Sequence, residues 1–217
     1  MRDPQHLFEA AHRLMAQSDG GATLERAAKL MQEAADLNHA GAANNFGAML
    51  QYGRGIALSL DRALVYYQKA AELGLAEGAF NLGFMHLHGL ATNKDAVLAR
   101  RLFEQAAAGN DVDALTHLGR TAMLGEGGVQ DFAAARGYWT TGAKLGDGRC
   151  AFNLGIANAG GHGAPPNFKV AYAWFLEADK LGNETAPIEL KKLRSVISET
   201  EIADAEKLSL EIAASTI

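Results

Sequence analysis

The sequence predicts an all-α fold, a solenoid of helix-turn-helix repeats. Three observations predict it: a repeat of constant length, helix-opening residues at one fixed phase of that repeat, and Gly or Asn at two helix-closing phases. The pairs Phe46-Gly47, Leu82-Gly83, Leu118-Gly119 and Leu154-Gly155 follow one another at a constant step of 36 residues. Ala27, Ala63, Ala99, Ala135 and Ala171 keep the same step and add an earlier copy.

The helix-opening column is Thr23, Ser59, Asp95, Asp131 and Asn167. Their side-chain oxygens can accept from the unpaired N–H groups of a first turn, so a helix is expected to start just after each. The closing column is Asn38, Gly74, Asn110, Gly146 and Gly182, residues that tolerate the left-handed conformation at a helix end. Gly53, Gly89, Gly125 and Gly161 close the preceding helix in the same way. Each unit is therefore a helix A, a short loop, a helix B and a tight turn.

Side chains between these signals explain why the units stack. Helix B carries paired large residues at Leu30-Met31, Tyr66-Tyr67, Leu102-Phe103, Tyr138-Trp139 and Trp174-Phe175, then a small residue at Ala34, Ala70, Ala106, Gly142 and Ala178. Gly47, Gly83, Gly119 and Gly155 lack a Cβ, which lets a helix B aromatic or a neighbouring backbone come close to helix A. Helices of this length are marginal alone, so stability has to come from stacking.

The ends depart from the pattern. Residues 1–38 read as a degenerate N-terminal repeat, with Ala10-Ala11 in place of the Leu-Gly pair and Gln17 in place of the loop glycine. Residues 39–182 hold four repeats, and 183–217 read as a two-helix C-terminal cap within the same single repeat domain. In that cap Pro187 requires a first-turn position, and Ser198-Glu199-Thr200-Glu201 has capping-box spacing before Ile202, Ala205, Leu208 and Ile212.

A small residue, Leu-Gly, Gly-x-Gly, an Asp and an aromatic-bearing, Ala-rich helix make up the pattern over residues 40–182. It is best seen in Leu118-Gly119, Gly125-Glu126-Gly127-Gly128-Val129, Asp131, Tyr138-Trp139 and Gly146. It resembles the Sel1-like repeat, a relative of the tetratricopeptide repeat. That resemblance implies a right-handed superhelix and an adaptor that brings proteins together in bacterial signalling, secretion or envelope processes. It also implies two alternatives: an inhibitor or immunity protein blocking a partner enzyme, and an enzyme or binder acting on β-lactam or peptidoglycan. The last belongs to members with a Cys pair in every repeat, whereas Cys150 is the only cysteine here.

By analogy with tetratricopeptide repeats, one stripe of helix A is expected to line a concave groove that holds a protein or peptide partner. The spacing puts on it Asn44, Ala48 and Gln51; Phe80, Phe84 and Leu87; Thr116, Arg120 and Met123; and Phe152, Ile156 and Ala159. Glu77, Asp113 and Arg149 would form a charged rim. In this reading the apolar residues grip an apolar or amphipathic segment while Arg120 and Arg149 pair with its acidic groups. The alternative is that the same residues fill the inner wall of a tight superhelix. A further column, Asn45, Asn81, His117 and Asn153, is expected to hydrogen-bond backbone in the adjoining unit.

Composition bounds the rest. A formal charge of −5 with scattered Lys and Arg argues against nucleic acid, and no stretch reads as a membrane span. Met1-Arg2-Asp3-Pro4-Gln5-His6 runs straight into an amphipathic pattern, so a cytoplasmic location is expected, or a periplasmic one if a leader has been removed. No catalytic residue, metal or cofactor is expected. His86 and His88 point to different helix faces. His162 sits in a glycine loop without the Lys-Ser/Thr ending of a phosphate cradle, and Cys150 shares a column with Ala42, Gly78 and Ala114.

Overall fold

The computed structural model describes residues 2–17 and 21–214, which hold twelve α-helices and no strand. They fall into two compact units, Met1–Asp111 and Val112–Ile217. The first contains α1 (Pro4–Ala16), α2 (Gly21–Asp36), α3 (Ala40–Tyr52), α4 (Leu60–Glu72), α5 (Ala76–His88) and α6 (Ala96–Ala108). The second contains α7 (Val112–Leu124), α8 (Phe132–Lys144), α9 (Gly148–Ala159), α10 (Phe168–Lys180), α11 (Ala186–Arg194) and α12 (Glu199–Ala214). From α1 to α6 and from α7 to α10 consecutive helices pack as hairpins and each hairpin packs on the next within its unit, while α11 and α12 both pack on α10; this is the α-solenoid class expected of the repeat.

The capping columns act as the spacing predicts, with one shift. Ser59, Asp95, Asp131 and Asn167 each accept from the backbone N–H three residues on, at 3.4, 2.9, 2.8 and 3.0 Å. Thr23 does not open its helix, because α2 already begins at Gly21. All nine closing residues have positive φ, from 61° at Asn110 to 87° at Gly146. The capping box forms: Glu201 N–H donates to Ser198 Oγ (3.2 Å), while the Glu201 carboxylate accepts from Ser198 N–H (2.9 Å) and holds its own pKa low through those bonds. Pro187 falls in the first turn of α11.

A second capping column opens helix A, and all but one of its members are residue types that favour a helix start. Asp3, His39, Asp147 and Asn183 accept first-turn N–H groups of α1, α3, α9 and α11. His39 does so with Nδ1, at 3.0 Å from Ala42 N, and imidazole is not a residue type that capping rules pick out.

The loop between helices A and B contains one strained residue. Gly55, Gly127 and Gly163 adopt φ of 70°, 74° and 77°, and the same phase in the third repeat is Ala91 at φ 56°. Holding an L-residue with a Cβ there costs about 1–2 kcal/mol, partly offset by the greater freedom of an unfolded glycine. Ala91→Gly is expected to raise the unfolding free energy by about 0.5–1 kcal/mol, read as a higher denaturant midpoint at unchanged slope.

Packing of helix B on helix A follows the missing Cβ atoms. A Cβ on Gly47 would lie 2.9 Å from the Tyr67 ring, and one on Gly83 would lie 2.9 Å from Phe103. In unit 2, Gly119 lies under Trp139 and Gly155 under Phe175, closer still. Tyr67, Phe103, Trp139 and Phe175 are all buried, so each of the four full repeats has one aromatic driven into a glycine notch.

Candidate functional site

With the helix A glycines committed to these notches, the opposite side of helix A is left partly open. In unit 1 it carries Asn45, Ala48 and Tyr52 on α3, and Glu77, Phe80, Asn81, Phe84 and His88 on α5. Steps of three and four residues, with Asn81 directly beside Phe80, keep them along one face. In unit 2 the equivalent residues are Asp113, His117, Arg120 and Leu124 on α7, and Arg149, Phe152, Asn153 and Ile156 on α9.

This face differs in phase from the stripe that spacing placed through Asn44, Gln51, Leu87 and Met123. Asn44 is 1% exposed and Leu87 2% exposed, so both leave the open face. Asn44 is covered because Asn81, on the next helix A, donates to its Oδ1 at 2.8 Å. Met123 packs against the cluster of Ala122, Ala135 and Trp139. Gln51 stays half-buried and accepts from the Tyr67 hydroxyl at 2.7 Å. The exposed residues at that end of the helices are instead Tyr52, His88 and Leu124.

The asparagine column bonds side chains rather than backbone in unit 1. Asn81 reaches Asn44, and Asn45 Nδ2 lies 3.1 Å from His12 Nε2, so each amide bridges to the helix A before it. Beside these amides the aromatic rings are braced from below: Phe80 lies 5.6 Å from the fully buried Phe103, and Phe84 lies 4.3 Å from His88. Tyr67 carries its hydroxyl to the same region, and burial, with the Tyr52 and Glu77 charges secondary, pushes its ionisation well above the ordinary tyrosine range.

The two arginines expected to meet acidic groups of a partner are engaged within unit 2. Arg149 pairs with Asp113 at 2.6 Å and with Asp147 at 2.5 Å, and its bond to Asp147 raises its pKa further. Arg120 lies 3.5 Å from Glu126. The Phe152 ring lies tilted against Phe175, with centroids 5.3 Å apart, and both Phe152 and Ile156 pack against the cluster that includes Leu193, Ile202 and Ala205 of the C-terminal helices. In unit 2 these two apolar residues are therefore partly taken up by the cap.

The remaining reactive side chains have structural roles. Cys150 is buried opposite Gly142, its Sγ 3.1 Å from Thr116 Oγ1, and burial pushes the thiol up to about 12, which leaves it protonated at neutral pH. The His162 ring stacks on Phe132, with centroids 5.9 Å apart, and its carbonyl accepts from Arg136 at 2.6 Å, which fastens the glycine loop to α8. No helix among the described residues is long and apolar enough to cross a membrane.

Known proteins place this architecture. A crystallised Sel1 repeat protein from Oxalobacter formigenes is 26% identical, with a TM-score of 0.80 over 96% of this chain and 88% of that one. The c5321 protective antigen of uropathogenic Escherichia coli, which displays an SLR fold, is 20% identical with a TM-score of 0.79, and this chain spans 46% of its length. The immunity protein Pa5087 from Pseudomonas aeruginosa is 19% identical, with a TM-score of 0.60 over 98% of this chain and 83% of that one. No curated protein matches the sequence significantly. The family model described as Sel1 repeat matches residues 22–39, 40–75, 76–111, 112–147 and 148–183, the same period that the Leu-Gly pairs mark, and the chain belongs to the Sel1-repeat family.

Proposed function

We propose that the protein is a binding module whose open helix A face receives a segment of a partner protein. Sel1-repeat proteins generally serve as protein-interaction modules, and the finer assignment to this face is supported by one observation above all. On α5 of unit 1, Phe80 and Phe84 remain partly solvent-exposed on a strip shared with Tyr52, which is 67% exposed. Aromatic side chains held on rigid helices are the usual anchors of a protein interface. Phe84→Glu is expected to leave the helical circular dichroism spectrum in place and to abolish retention of the partner captured by the wild-type chain. Retention at wild-type level by the folded variant would remove this face from the function.

A second reading makes the partner an enzyme and this protein its inhibitor. It is supported by the fold shared with three Pseudomonas aeruginosa proteins, two of which are described as immunity proteins. It is separated from the adaptor role by adding the purified chain to the captured partner. Inhibition marks the immunity role, and unchanged partner activity marks the adaptor.

A further inference from the structure

The charge on the unit 1 face is one-sided. In α3 and α5, helices of 13 residues each, Glu77 is the single Asp, Glu, Lys or Arg. It is exposed in the first turn of α5 and enters none of the ion pairs found among the described residues. The same open face carries the rings of Tyr52, Phe80 and Phe84 and the amides of Asn45 and Asn81. Carboxylate, ring faces and amide oxygens are all groups that attract a cation. The unit 2 face offers no such unbalanced charge, because Arg149 and Arg120 there already sit against Asp113, Asp147 and Glu126.

We infer that the unit 1 face selects a peptide segment carrying a Lys or Arg next to an aliphatic or aromatic residue, the cation meeting Glu77 and the apolar side chain lying on Phe80 and Phe84. The spacing suits this. From Glu77 to Phe84 is seven residues of helix, about 10 Å along the axis, and an extended peptide crosses that length in about three residues. A flexible Lys or Arg can lay its aliphatic stem beside the ring of Phe80, about one helical turn from Glu77, and still bring its charge to the carboxylate. The overall charge of −5 aids approach of such a segment, and an acidic segment would be disfavoured at the same place. His88, exposed beside Phe84, bounds the strip at the far end.

This inference rests on the helix A face being the binding surface, and its test separates the two. The full-length chain is passed over an array of immobilised heptapeptides. In a Gly-Ser background, each places Lys, Arg, Asp, Glu or Ser at one position and Leu, Phe or Ser one to three residues away. Peptides combining Lys or Arg with Leu or Phe are expected to retain the chain. Glu77→Gln is expected to weaken that retention about five- to tenfold, and Phe84→Ala to weaken it whichever cation is present. Glu77→Gln removes only a solvated charge, so the variant folds, and circular dichroism checks this directly. Retention by acidic or uncharged peptides, or retention of basic ones unaffected by Glu77→Gln, overturns the cation preference. If that retention still depends on Phe84, the face itself survives as the binding surface. If no cation-bearing peptide retains the chain, the inference fails, while capture of a partner protein lost in Phe84→Glu would leave the broader proposal standing.

Discussion

Trp139→Ala is expected to lower the unfolding free energy of unit 2 by about 3–5 kcal/mol, the range for truncating a large buried aromatic. The indole is 2% exposed, lies directly over Gly119, and donates from Nε1 to the Thr116 carbonyl at 3.2 Å. Truncation therefore loses buried apolar area and one hydrogen bond together, and it opens a void beside Ala122, Ala135, Leu154 and Cys150. The notch makes a second, sharper expectation. Gly119→Ala puts a methyl into the indole, which has no slack to give, and should cost about 2–3 kcal/mol as overpacking. In a Trp139→Ala background the obstruction is gone, and the same change should stabilise by about 0.5–1 kcal/mol, because alanine is the better helix former. Chemical denaturation of the four proteins of this cycle measures it. An unfavourable Gly119→Ala in both backgrounds would mean that the glycine is required for some reason other than the indole.

This notch also shows how much of the fold could be read from the residues. Glycine recurring in the middle of a helix at a strict interval, with a large residue at a matching phase of the next helix, has few physical explanations other than close helix approach. The pairing of Cys150 with Gly142 was equally open to inspection. The cysteine is the largest member of a column otherwise Ala and Gly, and the facing column is Ala except at Gly142. A swollen residue is matched by a shrunken one. The left-handed closing residues were legible because few residue types accept that conformation without cost.

The open helix A face was less legible, for a reason of angle rather than of chemistry. A helix advances 100° per residue, so a stripe traced one residue away from its true phase carries roughly half of its members into the core. Phe80, Phe84, Arg120, Phe152 and Ile156 survive the correction, whereas Asn44 and Leu87 do not. Spacing supplies the period of the face. Its absolute phase depends on which neighbour covers each flank, as Asn81 covers Asn44. The ion pairs of Arg149 lie still further from sequence reasoning, since Asp147 first has to be recognised as the cap of α9 before its carboxylate can be placed.

Opening the C-terminal cap is the second large effect expected. Glu177 on α10 is only 7% exposed, and its carboxylate accepts from the hydroxyl of Ser209 on α12 and from Lys180 Nζ at 2.7 Å. Lys180 also donates to Ser209 Oγ at 2.8 Å, so the three side chains close a ring between the last repeat and the final helix. Lys180 is half in solvent, which makes the ion pair itself worth little. The strength lies in Ser209, 1% exposed, whose hydroxyl has no water to turn to. Ser209→Ala should therefore leave the buried carboxylate with Lys180 as its remaining partner in the ring, and Glu177→Ala should leave the buried hydroxyl without its acceptor there. Each is expected to weaken docking of α12 by about 2 kcal/mol, which is about a thirtyfold rise in amide exchange across residues 199–214. Exchange across α7 and α8 should stay near the wild-type rate, because neither helix packs against α12. In the double variant Glu177→Leu with Ser209→Ala both buried polar groups are gone, and protection of α12 should return most of the way to wild type. Failure of the double variant to recover would show that the ring orients α12 as well as satisfying its own polar atoms. Because Phe152 and Ile156 pack against the cluster that α12 completes, a loosened α12 should also increase their solvent exposure, measurable as dye binding that appears in the single variants and disappears in the double.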